Sequence, residues 1–176
     1  MSKHASLAAA SKPVPAALDT PTDLDQQGVA SICADLNGIV ADAFALYLKT
    51  KNFHWHMSGP HFRDYHLLLD EQGSEILASI DPLAERVRKL GGDTLRSISH
   101  VGRIQTIKDN NETYVAPADM LRELMADNKH IVGKYRECHE VCDKFSDSAT
   151  ASLLETAIDE AEKRIWFLFE ASRPVR

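Results

Sequence analysis

The chain has 176 residues, 44% of them hydrophobic, with eight glycines and seven prolines, which fits one packed domain with or without a tail and disfavours disorder or a many-turned sandwich. Its formal net charge of −6 opposes nucleic acid unless a local basic segment offsets it, and is compatible with handling cations. The three cysteines, Cys33, Cys138 and Cys142, lack a paired framework spacing, and no signal-peptide core or run long enough to span a bilayer is read, so a reduced cytoplasm without a membrane partner is predicted.

Residues 1–23, MSKHASLAAASKPVPAALDTPTD, are rich in Ala, Ser, Pro and Lys, show no amphipathic period, and read as a flexible N-terminal tail. From about residue 24 the chain turns helical. Ile32, Leu36, Ile39, Ala43, Leu46 and Tyr47 follow the spacing of one buried helix face. This helix fades near Met57, where Ser58-Gly59-Pro60 offers a stop and a new start, with Ser58 a candidate N-cap. A second helix runs from about 60 to 90 and is ended by Gly91-Gly92. It carries Leu68, Leu69, Ile76, Leu77, Ile80, Leu83, Val87 and Leu90, and Pro82 predicts a kink or a missing hydrogen bond.

Residues 93–116 read as an irregular connection in which DTLRSISHVGRIQTI has room for a short helix. A third helix is predicted from about 117 to 145 and a fourth from about 148 to 171, capped by Asp147 or Ser148. Leu154, Ile158, Ala161, Ile165 and Leu168 repeat at helical spacing along the fourth. Residues 172–176 form a short C-terminal tail. No internal repeat or strand alternation is present. The predicted class is all-α: a four-helix bundle over 24–171, with a crossover and a short extra helix between the second and third helices.

Candidate chemistry concentrates in KNFHWHMSGPHFRDYHLLLD, residues 51–70, and in DPLAE, residues 81–85. His66 and Asp70 are four apart and share a face of the second helix, as do Asp81 and Glu85. Eleven residues separate Asp70 from Asp81, which is about 1,100° of turn, so both pairs point the same way but lie about 16 Å apart along the axis. Metal–ligand bonds to nitrogen or oxygen are only about 2 Å long, so one copy cannot hold one ion with both pairs. In an antiparallel hairpin His54 comes level with His66. His54, His66 and Asp70 then form one half-site, with Asp81 and Glu85 the other, and a two-fold axis between two copies joins them. Two imidazoles and three carboxylates suit Fe(II), Mn(II) or Zn(II) at an open site. The alternative on spacing alone is a solvated face whose carboxylates pair with Arg86, Arg88 or Lys89. The Glu-x-x-His motif of di-iron bundles does not occur, which counts against a site inside one bundle.

The run KNFHWHMSGPHFRDYHLLLDEQGSEILASIDPLAERVRKLGG, residues 51–92, resembles the signature of the Dps family, the DNA-binding proteins from starved cells within the ferritin-like superfamily. The resemblance rests on the His-Trp pair, the Gly and Phe of the turn, His-x-x-x-Asp, Asp-x-x-Ala-Glu-Arg and the closing Gly-Gly. It implies a ferroxidase centre shared between subunits, with His54, His66 and Asp70 from one chain and Asp81 and Glu85 from its two-fold mate. It further implies that Fe(II) is oxidised there, preferably by hydrogen peroxide and otherwise by dioxygen. Ferric mineral would collect in a hollow twelve-subunit shell built from two-fold dimers, protecting against oxidative stress. Glu85 or Asp81 is expected to be the strongest ligand. Trp55 is either a sink for stray oxidising equivalents or an aromatic packed at the dimer interface.

Neighbouring polar residues read more plainly. His56 and His61 are turn or surface residues, and His100, His130 and His139 are satisfied surface or interface histidines. Cys138 and Cys142 read as reduced, partly buried thiols, and Asp143 and Asp147 as either pore-lining or helix-capping carboxylates. The alternative function is a DNA-binding, nucleoid-compacting shell with a weak or idle metal site. DNA binding in the family relies on a lysine-rich tail, whereas this tail has only Lys3 and Lys12 before Asp19 and Asp23.

Overall fold

A computed structural model of the chain describes residues 15–173. Helices α1 (Gln26–His56), α2 (Phe62–Lys89), α3 (Ile98–Ile104), α4 (Pro117–Lys144) and α5 (Ser148–Ala171) succeed one another, with no strand among the described residues. This is the predicted all-α bundle, including the short helix in the connection between the second and third long helices. α1 packs along α2 and α4, α4 packs along α5, α3 sits against α1, and α2 touches α5 only sparsely. Lys3, Lys12 and Arg176, whose charges bear on DNA binding, lie outside the described residues.

The helix ends follow from local chemistry. Asp25 caps α1 by accepting from the amides of Gln27 at 2.8 Å and Gly28 at 3.2 Å. Asp147 caps α5, accepting from the Thr150 amide at 3.0 Å, and Pro117 opens α4 where its missing N–H costs nothing. Ser58 does not cap α2. The turn is instead closed by the Phe62 amide donating to Gly59 at 3.1 Å, so α2 starts after Pro60. At the other end, the Gly92 amide reaches Val87 and the Gly91 amide reaches Arg88, with Gly91 at φ +82°. This is the paired-bond stop that a left-handed residue permits. Pro82 does not break α2, which runs through it to Lys89. The lost bond leaves the Ala78 carbonyl without its helical donor, at the wall of a cleft of about 310 Å³ between α2 and α5.

Residues 15–23, read from sequence as the end of a flexible tail, are tied to this stop. Arg88 donates to Leu18 O at 2.6 Å, and a Cβ on Gly91 would come within 2.7 Å of Thr20 O. The glycine therefore serves both the turn and the close approach of the incoming N-terminal segment.

The apolar face of α1 is consumed by the core: Ile32, Leu36, Ile39, Ala43, Leu46 and Phe53 are all buried, while Tyr47 is half-buried. By length and composition α1 is long and apolar enough to cross a membrane, with a mean hydropathy of 1.5. That corrects the reading that no such run exists. Its packing marks it as the central helix of the bundle, and it carries two buried charged residues, Asp42 and Lys49.

Two cations sit inside the bundle. Lys49 lies 2.7 Å from Asp127 and 3.0 Å from Glu123 on α4. Arg164, also buried, donates from Nε to Asn128 at 2.9 Å and faces Glu75 at 3.7 Å. Burial raises the Asp127 carboxyl above its ordinary range despite the lysine beside it. A carboxyl raised in the folded state binds its proton more tightly there, so stability falls as pH climbs through that raised value and levels off above it. Lys49→Met removes the compensating charge and extends the fall to higher pH. Thermal melts at fixed protein concentration should show a loss of about 3 kcal/mol at about pH 7.5, with a distinctly smaller loss at about pH 4.5. An equal loss at both pH values would uncouple Asp127 from Lys49.

Candidate metal centre

The antiparallel α1–α2 hairpin sets His54 against His66. Their rings stack with centroids 3.7 Å apart and 23° between planes. Nδ1 of His54 lies 2.8 Å from the carbonyl oxygen of His66, and Nδ1 of His66 lies 2.9 Å from that of His54. A carbonyl can only accept, so each Nδ1 carries a hydrogen and the lone pair of the neutral ring sits at Nε2. A backbone acceptor behind Nδ1 is the arrangement that orients metal-binding imidazoles. Nε2 of His54 points toward Asp70, at 3.8 Å from Oδ1.

Asp70 is not free. The ammonium of Lys51 sits 2.7 Å from Oδ1, and the hydrogen bond and charge of Lys51 hold this carboxyl below the usual carboxylate range. Lys51 reaches Asp70 by passing over Gly73, where an added Cβ would stand 3.2 Å from Lys51 Cδ. Lys51 is the residue that sequence reading missed. Its signal was the three-residue spacing to His54, which puts both on one face of α1.

Asp81 and Glu85 stand further along α2, both exposed. Glu85 pairs with Lys89 at 3.1 Å. Arg86 and Arg88, weighed as alternative partners for these carboxylates, face elsewhere: Arg86 bonds Thr150 and Asp147, and Arg88 bonds Gly92 O and Leu18 O. Among the described residues, no group of three or more His, Cys, Asp or Glu is placed to hold a metal ion within one chain. The hairpin thus brings together His54, His66 and Asp70 and leaves Asp81 and Glu85 apart from them. Leu67, Asp70, Ser74, Leu77, Asp81 and Glu85 are all exposed and fall within about 80° of arc on α2. One solvent-facing stripe therefore alternates leucines with carboxylates. Leu48 and Trp55, a seven-residue step apart on α1, are exposed at 59% and 60%.

The remaining candidates have local partners. His56 bonds Asn52 O, His61 packs against Tyr65, His130 bonds Thr106, and His139 lies 3.3 Å from both Asp143 and Glu155. Asp147 is buried as the α5 cap, accepting from Arg86 at 2.6 Å, so it does not face a pore. Asp143 remains exposed. Cys138 and Cys142 are free thiols, fully buried rather than partly so.

Comparison with known proteins agrees with this architecture. The ferritin-like domain family matches residues 33–171. An uncharacterized low temperature-induced protein of Nostoc sp. is 33% identical over 84% of this chain and 81% of its own length. DNA protection during starvation protein 1 of Deinococcus radiodurans is 32% identical over 82% of this chain and 70% of its own. Among solved structures, DpsC from Streptomyces coelicolor superposes with a TM-score of 0.86 at 29% identity, covering 89% of this chain and 92% of that one.

The Lys51–Asp70 pair makes a direct prediction. A metal ion binding at Asp70 must displace the ammonium, so Lys51→Met should tighten Co(II) binding by about two- to fivefold, the range of a partly exposed ion pair. Titration of the cobalt absorption bands checks it. Weaker binding in the variant would mean that Lys51 organises the half-site instead of competing for it.

Proposed function

We propose a ferroxidase and iron-storage function for this chain, which belongs to the Dps family of ferritin-like proteins. Fe(II) is the substrate, hydrogen peroxide the preferred oxidant and dioxygen the slower one. The product is ferric mineral held in a hollow shell of twelve copies, and the benefit is protection from oxidative damage. The observation that carries this reading is the α2 stripe, where exposed leucines alternate with exposed carboxylates beside two imidazoles whose Nδ1 atoms are occupied. The leucines call for cover and the carboxylates for a cation. A second copy of α2, antiparallel across a two-fold axis, meets both needs and sets Asp81 and Glu85 of one chain against His54, His66 and Asp70 of the other.

Each residue has a chemical role on this reading. His54 and His66 offer neutral nitrogen donors that hold Fe(II). Asp70, Asp81 and Glu85 supply negative charge that favours the trivalent product, so the site stabilises the oxidised state more than the reduced one. A pair of Fe(II) ions delivers the two electrons that carry peroxide to the level of water, which avoids the one-electron path to hydroxyl radical. Lys51 leaves Asp70 as iron arrives, keeping the carboxylate paired until then. The exposed ring of Trp55, next to His54 in sequence, becomes covered at the two-fold interface.

Complementation between two dead variants tests the shared site. One chain carries His54→Ala, His66→Ala and Asp70→Asn; the other carries Asp81→Ala and Glu85→Ala. Each alone should lose nearly all rapid Fe(II) oxidation by peroxide in stopped flow. Refolded together in equal amounts, half the dimers are mixed and one of the two sites in each is intact, so about a quarter of the wild-type rate should return. A site complete within one chain would give no recovery, and full activity in either single variant would remove these residues from the centre.

A further inference from the structure

α2 and α5 run antiparallel and are tied together at two places. Lys163 bonds Glu75 at 2.8 Å, and further along α2 Arg86 bonds Thr150 at 2.7 Å. Between these ties small residues face each other, with Ala78 and Ser79 on α2 and Thr156 and Ala157 on α5. The helices therefore leave the cleft of about 310 Å³, walled by the apolar Pro82, Leu83 and Leu153. Glu75 lines the other end, and Arg164 faces Glu75. Two buried atoms there lack a hydrogen-bond partner among the described residues: Oε2 of Glu75 and Nη1 of Arg164. They stand 3.7 Å apart, beyond hydrogen-bond reach. Each side chain is held by its other atoms. Arg164, only 3% exposed, donates from Nε to Asn128 at 2.9 Å, and Oε1 of Glu75 accepts from Lys163. The Ala78 carbonyl adds a further acceptor at the wall, since Pro82 deprives it of its helical donor.

We propose that this cleft binds a small neutral phenol, with its hydroxyl at Glu75 and Arg164 and its ring against Pro82, Leu83 and Leu153. The polar end selects the head group. A cation would meet Lys163 and Arg164, and an anion would meet Glu75 and Glu160, so neither charged form is favoured. A hydroxyl both accepts and donates. One oxygen can lie within about 3 Å of two atoms that are 3.7 Å apart, accepting from Nη1 and donating to Oε2. A phenol suits the carboxylate better than an aliphatic alcohol does, because its more acidic hydroxyl is the stronger donor to a charged acceptor. Size agrees with a single ring. A cavity of about 150 Å³ admits benzene, and ligand pockets begin at about 300 Å³ with mostly apolar walls and a few placed polar groups. Glu75 and Pro82 are seven residues apart, about 10 Å along the axis, the length of one substituted ring. The cleft takes no residue from the α1–α2 stripe, so it stands apart from the ferroxidase reading.

The full chain is titrated with 4-ethylphenol and followed by saturation-transfer NMR. Two related probes are run beside it: 4-ethylanisole, whose methyl cap removes the donor, and 4-ethylbenzoate, which carries a charge. A Kd on the order of 1 mM or tighter is expected for a phenol of this size. The anisole and the benzoate should each bind about tenfold more weakly, the worth of one hydrogen bond to a charged group. Glu75→Gln should weaken the phenol by about the same factor. Ala78→Phe fills the cleft from an exposed position of α2 and should abolish binding, with circular dichroism confirming that the helices are intact. The proposal is overturned if wild type and Ala78→Phe bind 4-ethylphenol alike, because the ligand then sits elsewhere. Equal affinity for the phenol and the anisole overturns it too, since the polar end then selects nothing. So does an absence of binding up to about 10 mM, which leaves the cleft to water.

Discussion

A straight α-helix fixes both the direction and the spacing of its side chains, and on α2 these have opposite consequences. Direction places Asp70, Asp81 and Glu85 on one exposed stripe. Spacing sets Asp70 and Asp81 about 16 Å apart, far beyond two metal–ligand bonds of about 2 Å each. Only an unbroken helix imposes this, and Pro82 lies inside the critical span. Because α2 continues through it, the His66–Asp70 and Asp81–Glu85 pairs keep a common direction. The same spacing that prevents one chain from closing the site is what the proposed two-fold pairing answers, with the second half supplied by a neighbour.

The bundle interior and its surface divide the charges between them. Inside, the carboxylates already have protein partners: Lys49 lies between Glu123 and Asp127, Arg164 sits beside Glu75, and Asp42 accepts from the Thr106 and Ile107 amides. A half-buried carboxylate with an ammonium 2.7 Å away has little to gain from a metal ion and much to lose in desolvated charge balance. Outside, Asp81 is exposed, and Glu85 has only the exposed Lys89, a contact that water and salt weaken easily. Asp70 is intermediate, held by a lysine that can swing away. The interior therefore has no carboxylate to spare for a metal, which fits the lack of a Glu-x-x-His pair anywhere in the chain, and the proposed site falls on the stripe.

Much of this was readable from sequence because it follows from helical period and punctuation. The long helices were placed to within two or three residues by the apolar repeat, by Asp147 as a cap and by Gly91-Gly92 as a stop. The level pairing of His54 with His66 followed from the hairpin turn. The misses were of another kind. Ser58 looked like a cap, but a Gly-Pro turn has its own internal bond and moves the helix start past it. Asp147 was read as either a cap or a pore-lining carboxylate; it is the cap, and sequence cannot show that Arg86 folds over it. Lys49 and Arg164 were unreadable for one reason. A cation on a helix is normally solvated, and only the tertiary neighbours on α4 and α2 reveal a partner. The docking of residues 15–23 on Gly91 is likewise a contact between segments far apart in sequence, with no local signature.

Under the proposed pairing of two chains, cover and charge pull against each other. The α1–α2 face combines Leu48, Trp55, Leu67 and Leu77 with three carboxylates, and bringing two such faces together concentrates negative charge across the axis. Apolar cover drives the contact while like charge opposes it, so the face is left short of full stability until cations enter. Iron on this view is both substrate and cement: each ion relieves repulsion at the two-fold interface it occupies, and affinity for iron must rise as that interface tightens.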